Sequence, residues 1–183
     1  MKRMGGAAIC ATLVALAMLG SQGLLVAYGD DDEDQGGRLL KASLTGFEEP
    51  PAVSSTGRGE FEARISHDES SFDYELSYED LEGTVTQSHI HLGQFSVNGG
   101  IAIWLCQTAG TPAPVAALTP FCPNEGTVTA AQVIGPAGQG VAAGEFAEVL
   151  RALRKGVTYA NVHSTRNAGG EIRGQIRRRS SPD

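Results

Sequence analysis

FDYELSYE, residues 72–79, is the stretch of this chain that decides the fold. Apolar or aromatic side chains alternate along it with polar ones, and successive side chains of a β-strand point to opposite faces. A strand is therefore predicted over residues 72–78, with one face buried and the other facing water, which is typical of an antiparallel sheet. Similar short stretches, separated by glycine and proline, lie on both sides of it.

The same reasoning predicts seven further strands. They cover residues 38–44, 59–65, 84–92, 101–105, 127–134, 157–163 and 170–177. A single helix is predicted over residues 145–155, because its apolar side chains recur at i, i+3, i+4 and i+7 and Gly156 is a natural C-cap. The predicted fold is all-β: an antiparallel β-sandwich or flattened barrel of about eight strands, like immunoglobulin domains or superoxide dismutases, with one short covering helix.

The first residues have the pattern of a secretory signal. Lys2 and Arg3 precede an apolar run over residues 7–19. Two sites with small side chains, at residues 21–23 and 27–29, suit a signal peptidase, and cleavage near Gly29 is favoured because the acidic stretch begins directly after it. The predicted organisation is a signal peptide at 1–29, an acidic disordered linker at 30–37, the β domain at 38–177 and a basic disordered tail at 178–183. The expected location is secreted, periplasmic or in the cell envelope. An uncleaved anchor stays open as the alternative, and cleavage would leave no stable membrane insertion.

The charge and the cysteines narrow the classes of partner and compartment. A formal net charge of -7 disfavours nucleic acid and anionic membranes, so an extracytoplasmic protein or matrix component is the expected partner. Cys10 lies in the signal, which leaves Cys106 and Cys122. In an oxidising compartment these two are predicted to form a disulfide across the intervening loop, and two free thiols are the alternative.

Three of the four histidines lie in two short extended motifs, SHIH at residues 88–91 and NVH at residues 161–163. The period of a strand places His89 and His91 on one face. His163, on a strand packed nearby, would complete the all-nitrogen donor set that copper, zinc or nickel prefers. Asn161 shares the face of His163 and is predicted to hydrogen-bond the second ring nitrogen of a ligand.

A metal-free interpretation of these histidines also stays open, in which they hydrogen-bond one another and backbone carbonyls. Without metal, protonation would bring cations together, so stability is expected to fall as pH falls through the histidine range, near about 6.5. The fourth histidine, His67, lies in a polar turn and is expected to be solvated. Glu48 and Glu49, beside two prolines, are either an acid pair or, as we expect, an exposed turn; no catalytic residue is predicted.

Five motifs make the chain resemble the CHRD domain, named after chordin. They are LTGFEEPPAV at 44–53, LSY at 76–78, SHIHLG at 88–93, YANVHS at 159–164 and GGEIRGQI at 169–176. The similarity extends over residues 39–176. It implies a secreted β-sandwich module that is common in bacteria as a stand-alone domain and has no established general activity.

A second resemblance is to the copper half of copper/zinc superoxide dismutases. HIH at residues 89–91, VH at 162–163 and NAGG at 167–170 are similar to the motifs that surround their copper. This resemblance implies that His89, His91 and His163 are copper ligands, with zinc the less favoured metal. No histidine lies between His91 and His163 to bridge a second metal, and Glu171 occupies the position of the anion-guiding arginine. Arg173 lies two residues further on.

A carboxylate beside the metal would repel superoxide, so dismutase activity is not expected. Two hypotheses follow from the sequence. The preferred one is a secreted binding or structural module of unknown partner, in which a mononuclear three-histidine copper site is optional. The alternative is a copper carrier or redox protein.

Overall fold

The computed structural model describes residues 38–107 and 125–179. The predicted signal peptide, the acidic linker, Cys122 and residues 180–183 lie outside the described residues. The strands are β1 (Leu39–Thr45), β2 (Arg58–Ile65), β3 (Ser71–Glu79), β4 (Val85–Leu92), β5 (Gly100–Gln107), β6 (Glu125–Thr129), β7 (Thr158–Ser164) and β8 (Ile172–Arg178). The helix α1 covers Phe146–Arg154.

All eight strands belong to one sheet in the order β5-β4-β7-β8-β1-β2-β3-β6, and every neighbouring pair is antiparallel. The sheet curves until its two edge strands approach each other. Val133, just after β6, bridges Ile103 of β5, and the Tyr74 hydroxyl of β3 donates to the Leu105 carbonyl of β5 at 3.1 Å. The fold is therefore a nearly closed barrel, which confirms the predicted all-β class.

The hydrophobic core lies inside the barrel, and every second side chain of the alternating strands points into it. β2 alternates exposed and buried residues along its whole length, and in β3 Phe72, Tyr74 and Leu76 are buried while Asp73 and Glu75 are exposed. Strands β4, β7 and β8 differ, because consecutive residues are buried on both faces along all of β7, at residues 88–91 of β4 and at residues 172–174 of β8. Loops cover their outer face, so polar side chains there are also removed from water.

Helix α1 covers part of the core, as its periodicity predicts. Its apolar stripe is buried, and Phe146 stacks on Phe72 of β3 with the ring centroids 6.0 Å apart. Lys155 ends the helix, and Gly156 follows it with a φ of 65°, a left-handed conformation that glycine adopts without strain.

Most boundaries differ from the predicted ones by one or two residues, and two of the differences have a visible structural cause. The strand predicted over residues 127–134 ends at Thr129, because the Thr129 and Gln132 side chains form a capping box that starts a 3-10 turn. At the other end, β8 extends to Arg178, and the Arg179 N–H donates to the Leu39 carbonyl at 2.9 Å. The paired chain thus continues past residue 177.

Candidate metal site

His89, His91 and His163 meet on the outer face of the barrel. Ile90 and Val162 point into the core, so the histidines beside them in β4 and β7 point the other way. In the register of these strands His89 lies opposite Asn161, and His163 is its diagonal neighbour. We call these three residues the histidine cluster.

The ring nitrogens of the histidine cluster converge. One nitrogen from each ring lies within 4.8 Å of the other two. The His89 ring centroid is 4.8 Å from that of His163 and 5.2 Å from that of His91, in edge-to-face contacts. All three residues are buried, with exposed fractions of 1% for His89, 9% for His91 and 8% for His163.

Backbone carbonyls orient two of the three rings. His91 Nδ1 lies 2.9 Å from the Gly99 carbonyl oxygen, and His163 Nδ1 lies 2.9 Å from that of Ala168. A carbonyl only accepts, so each Nδ1 carries the proton and each Nε2 presents a lone pair. Within the described residues neither Nε2 has a hydrogen-bond partner, and neither ring nitrogen of His89 has one.

Burial keeps these imidazoles neutral. Desolvation, together with the neighbouring His163 and His91, lowers the pKa of His89 to about 2. Desolvation also lowers the pKa of His91 to about 4 despite the Gly99 hydrogen bond, and it lowers the pKa of His163. Neutral imidazole is the form that binds a metal, so at neutral pH the histidine cluster offers three lone-pair donors.

The spacing of the nitrogens suits one metal ion. Metal–nitrogen bonds of about 2.0–2.1 Å place three ligands about 3.3–3.6 Å apart in trigonal or tetrahedral geometry. Nitrogens within 4.8 Å of one another therefore need to approach by at most about 1.5 Å. Buried nitrogens without partners and carbonyls that fix the ring orientation are both typical of metal sites. The histidine cluster can hold a metal ion.

Aromatic rings surround the histidine cluster. The Trp104 ring centroid of β5 is 4.1 Å from that of His89, with the ring planes at 85°. Tyr159 of β7 stacks on His91 at 4.7 Å and 4°. The Arg173 guanidinium of β8 lies 3.5 Å from the Tyr159 ring centroid, and its nitrogens donate to Asn98 Oδ1 and to the Val97 carbonyl. Arg173 therefore ties the loop that contains Gly99 to the barrel.

Glu49 is buried, so the expected exposed turn is wrong for this residue. Its exposed fraction is 8%, and its Oε1 accepts a hydrogen bond from Asn161 Nδ2 at 2.6 Å. Desolvation raises the pKa of Glu49 to about 7, although the Asn161 hydrogen bond and the Arg173 charge oppose this rise. Asn161 also donates to the Ile172 carbonyl. The structure thus gives Asn161 the task of holding Glu49, and Ala168 rather than Asn161 orients His163.

Glu171 does not bind the histidine cluster. Its carboxylate accepts hydrogen bonds from Ser55 Oγ at 2.7 Å, from the Glu82 N–H at 2.6 Å and from Ser164 Oγ. Burial raises the pKa of Glu171, but these hydrogen bonds outweigh it, and the net pKa is lowered. The ionised carboxylate therefore anchors the loops beside β8.

The remaining sequence prediction for this region concerns the cysteines. Cys106 of β5 is buried, whereas Cys122 lies outside the described residues. The disulfide between them stays a prediction.

The sequence did not reveal the groups that contact the histidine cluster, which are the rings of Trp104 and Tyr159 and the carbonyls of Gly99 and Ala168. One signal was present. Both carbonyls come from turns that contain asparagine and glycine and that adjoin a histidine strand, NGG at residues 98–100 and NAGG at residues 167–170.

The CHRD domain model matches residues 40–176, which include β2 to β7 in full, all but the ends of β1 and β8, and the whole histidine cluster. The chain belongs to the CHRD domain family. CHRD domains are typically extracellular or secreted. Comparison with curated proteins gives no match, and comparison with solved structures gives none either. In the described part of this CHRD domain, the helices are too short or too polar to cross a membrane.

Proposed function

We propose that this chain is a secreted CHRD module that binds one copper ion through His89, His91 and His163. One observation carries the proposal: three buried, neutral imidazoles converge with ring nitrogens that have no hydrogen-bond partner among the described residues. Leaving such groups unpaired costs about 1–3 kcal/mol each, and a metal ion relieves that cost.

Copper is favoured over zinc on two grounds. The motifs around the histidines are similar to those of copper/zinc superoxide dismutases on the copper side. Copper(II) also binds a given set of nitrogen donors more tightly than other divalent metals of the first transition row. His91 and His163 would bind through Nε2, since their Nδ1 atoms hydrogen-bond to carbonyls. The ion would join β4 to β7 on the outer face of the barrel, beneath the loops that cover it.

The module would use the surface of its barrel to hold an extracytoplasmic protein or matrix component. Dismutase chemistry is not proposed, because Arg173, the arginine that could guide an anion, is buried and hydrogen-bonds a neighbouring loop. Arg173 is 1% exposed, contacts Tyr159 and donates to the loop at Val97 and Asn98. Secretion with cleavage near Gly29 and a Cys106–Cys122 disulfide belong to the same proposal.

The test is copper titration of the metal-free protein, followed by the fluorescence of Trp104, which is the only tryptophan in the sequence. Its ring lies 4.1 Å from that of His89, so bound Cu(II) should quench its emission. We expect quenching that saturates at one copper per chain and is lost in His163→Ala. His67→Ala, in an exposed turn, is the matched control and should titrate like the unmodified protein.

Electron paramagnetic resonance of the same sample should show nitrogen hyperfine structure. No stoichiometric copper at micromolar concentration would refute the metal proposal. A bound copper that survives His163→Ala would refute the assignment of ligands. A thiol assay on the secreted protein tests the disulfide, which predicts no free thiol before reduction.

A further inference from the structure

We propose that the histidine cluster prefers reduced, monovalent copper and binds Cu(I) more tightly than Cu(II). This inference rests on the proposed function and goes beyond it, because it names the oxidation state of the metal. Three features of the site support it: the charge of the donors, the fixed charge nearby and the number of ligands.

The donors carry no charge. The group that can hold a metal consists of three histidines, and no cysteine, aspartate or glutamate in the described ranges joins it. An ion bound there keeps its full charge in a buried place. The cost of removing an ion from water rises with the square of its charge, so a dication is penalised about four times as heavily as a monovalent ion. Neutral donors do not offset this difference.

A fixed positive charge lies on the same face. Arg173 packs on Tyr159, and Tyr159 stacks on His91. The guanidinium of Arg173 also donates to the loop at Val97 and Asn98, which holds the charge in place. It therefore repels a dication bound at His91 about twice as strongly as a monovalent ion. Glu49 opposes Arg173, but its own raised pKa of about 7 leaves it only partly ionised at neutral pH.

The number of ligands points in the same direction. Cu(II) favours a square-planar or tetragonal set of four or more donors. The side chains around the histidine cluster include the rings of Trp104 and Tyr159, which are poor ligands, rather than a fourth imidazole or a carboxylate. Cu(I) has a filled d shell and is stable with two or three nitrogen ligands, so it loses less in this site.

The experiment is a pair of competition titrations on the metal-free protein. Under nitrogen, Cu(I) is partitioned between the protein and the chromophoric chelator bathocuproine disulfonate. In air, Cu(II) is partitioned between the protein and nitrilotriacetate, with the emission of Trp104 as the readout. We expect the Kd for Cu(I) to be at least about tenfold below that for Cu(II), as one adjacent unit charge implies at an effective dielectric near 20.

Arg173→Gln tests the part assigned to the fixed charge. It should bring the two Kd values closer together by about tenfold, whereas Arg173→Lys keeps the charge and should keep most of the ratio. Arg151→Gln removes an exposed arginine of α1 and should leave the ratio unchanged. If Arg173→Gln fails to fold, the ratio in the unmodified protein decides the proposal by itself.

The outcomes separate this inference from the proposed function. A lower Kd for Cu(II) than for Cu(I) overturns the inference and leaves the copper site standing. No binding of copper in either oxidation state overturns both. An unchanged ratio in a folded Arg173→Gln protein overturns the assignment to Arg173.

Discussion

Replacing Glu49 by glutamine should stabilise the protein at alkaline pH, although it removes a residue with a hydrogen bond. Folding raises the pKa of Glu49 from 4.5 to about 7 because the carboxyl group is buried. The folded protein therefore holds this proton more tightly than the unfolded chain does. The stability contributed by the protonated form is complete below about pH 4.5 and is lost as pH rises through about 7.

The size of the effect follows from the shift. Each pKa unit corresponds to about 1.36 kcal/mol, so the ionised carboxylate at pH 8 costs at most about 3 kcal/mol, and about 2 kcal/mol after solvent screening. Glutamine has the same shape and is neutral at every pH. Its Oε1 can accept the Asn161 hydrogen bond that Glu49 accepts at 2.6 Å. Glu49→Gln should therefore match the unmodified protein near pH 4.5 and exceed it by about 2 kcal/mol at pH 8.

The assay is urea unfolding followed by the fluorescence of Trp104, on metal-free protein at several pH values between about 4.5 and 8. The histidine cluster is the same in both proteins, so its own pH dependence cancels in the difference. Glu75→Gln, on the exposed face of β3, is the matched control and should show no such trend. A difference that is independent of pH, or a Glu49→Gln protein that is less stable at pH 8, would refute the reasoning.

Three further predictions concern stability. In metal-free protein the free energy of unfolding should fall as pH falls below 6.5, because His89 and His91, with pKa values of about 2 and 4 in the folded protein, take up protons more readily when the chain unfolds. The expected loss by pH 4.5 is about 2 kcal/mol per histidine. A urea midpoint that does not change with pH would contradict it. Gly170→Ala should destabilise by about 1–3 kcal/mol, since Gly170 has a φ of 127° and a Cβ would lie 2.6 Å from Glu49 Oε1; thermal unfolding should show the strain partly relieved in a Glu49→Ala background. Tyr74→Phe should cost about 1 kcal/mol in urea unfolding, because the Leu105 carbonyl loses its partner across the barrel; an unchanged midpoint would show that this contact does not help to close the barrel.

Local patterns were sufficient for most of the strands. β3 was predicted over residues 72–78 and observed over Ser71–Glu79, because strict alternation leaves little freedom in where the strand begins or ends. β6 was predicted too long, since the residues after Thr129 are apolar enough to continue a strand. A side-chain hydrogen bond from Thr129 to Gln132 competes there, and alternation does not reveal it. The order of the strands could not be predicted either, since pairing such as β1 with β8 joins distant parts of the chain.

The histidine cluster, too, could be predicted only in the part that depends on local sequence patterns. The shared face of His89 and His91 follows from the strand period alone, whereas the approach of His163 depends on the register of β4 against β7. Glu49 was predicted to be exposed because its neighbours are polar and its loop contains two prolines. Its burial comes from Asn161 and from the turn at Gly170, which lie more than a hundred residues away along the chain. Sequence patterns predict which face of its own strand or helix a side chain lies on. They do not predict which distant loop covers that face.

These observations explain why the histidine cluster can be tolerated without a catalytic task. It lies outside the barrel core, so the apolar packing that stabilises the sheet does not depend on it. Burying neutral imidazoles with unpaired nitrogens still lowers stability, and a ligand that binds only the folded state restores it. A ligand at about a hundred times its Kd adds about 2.7 kcal/mol to the free energy of unfolding. This is similar to the stability that is lost at acid pH through one of these histidines. If the histidine cluster binds copper as proposed, copper and protons compete for the same nitrogens, and bound copper should move the acid unfolding of this CHRD domain to lower pH.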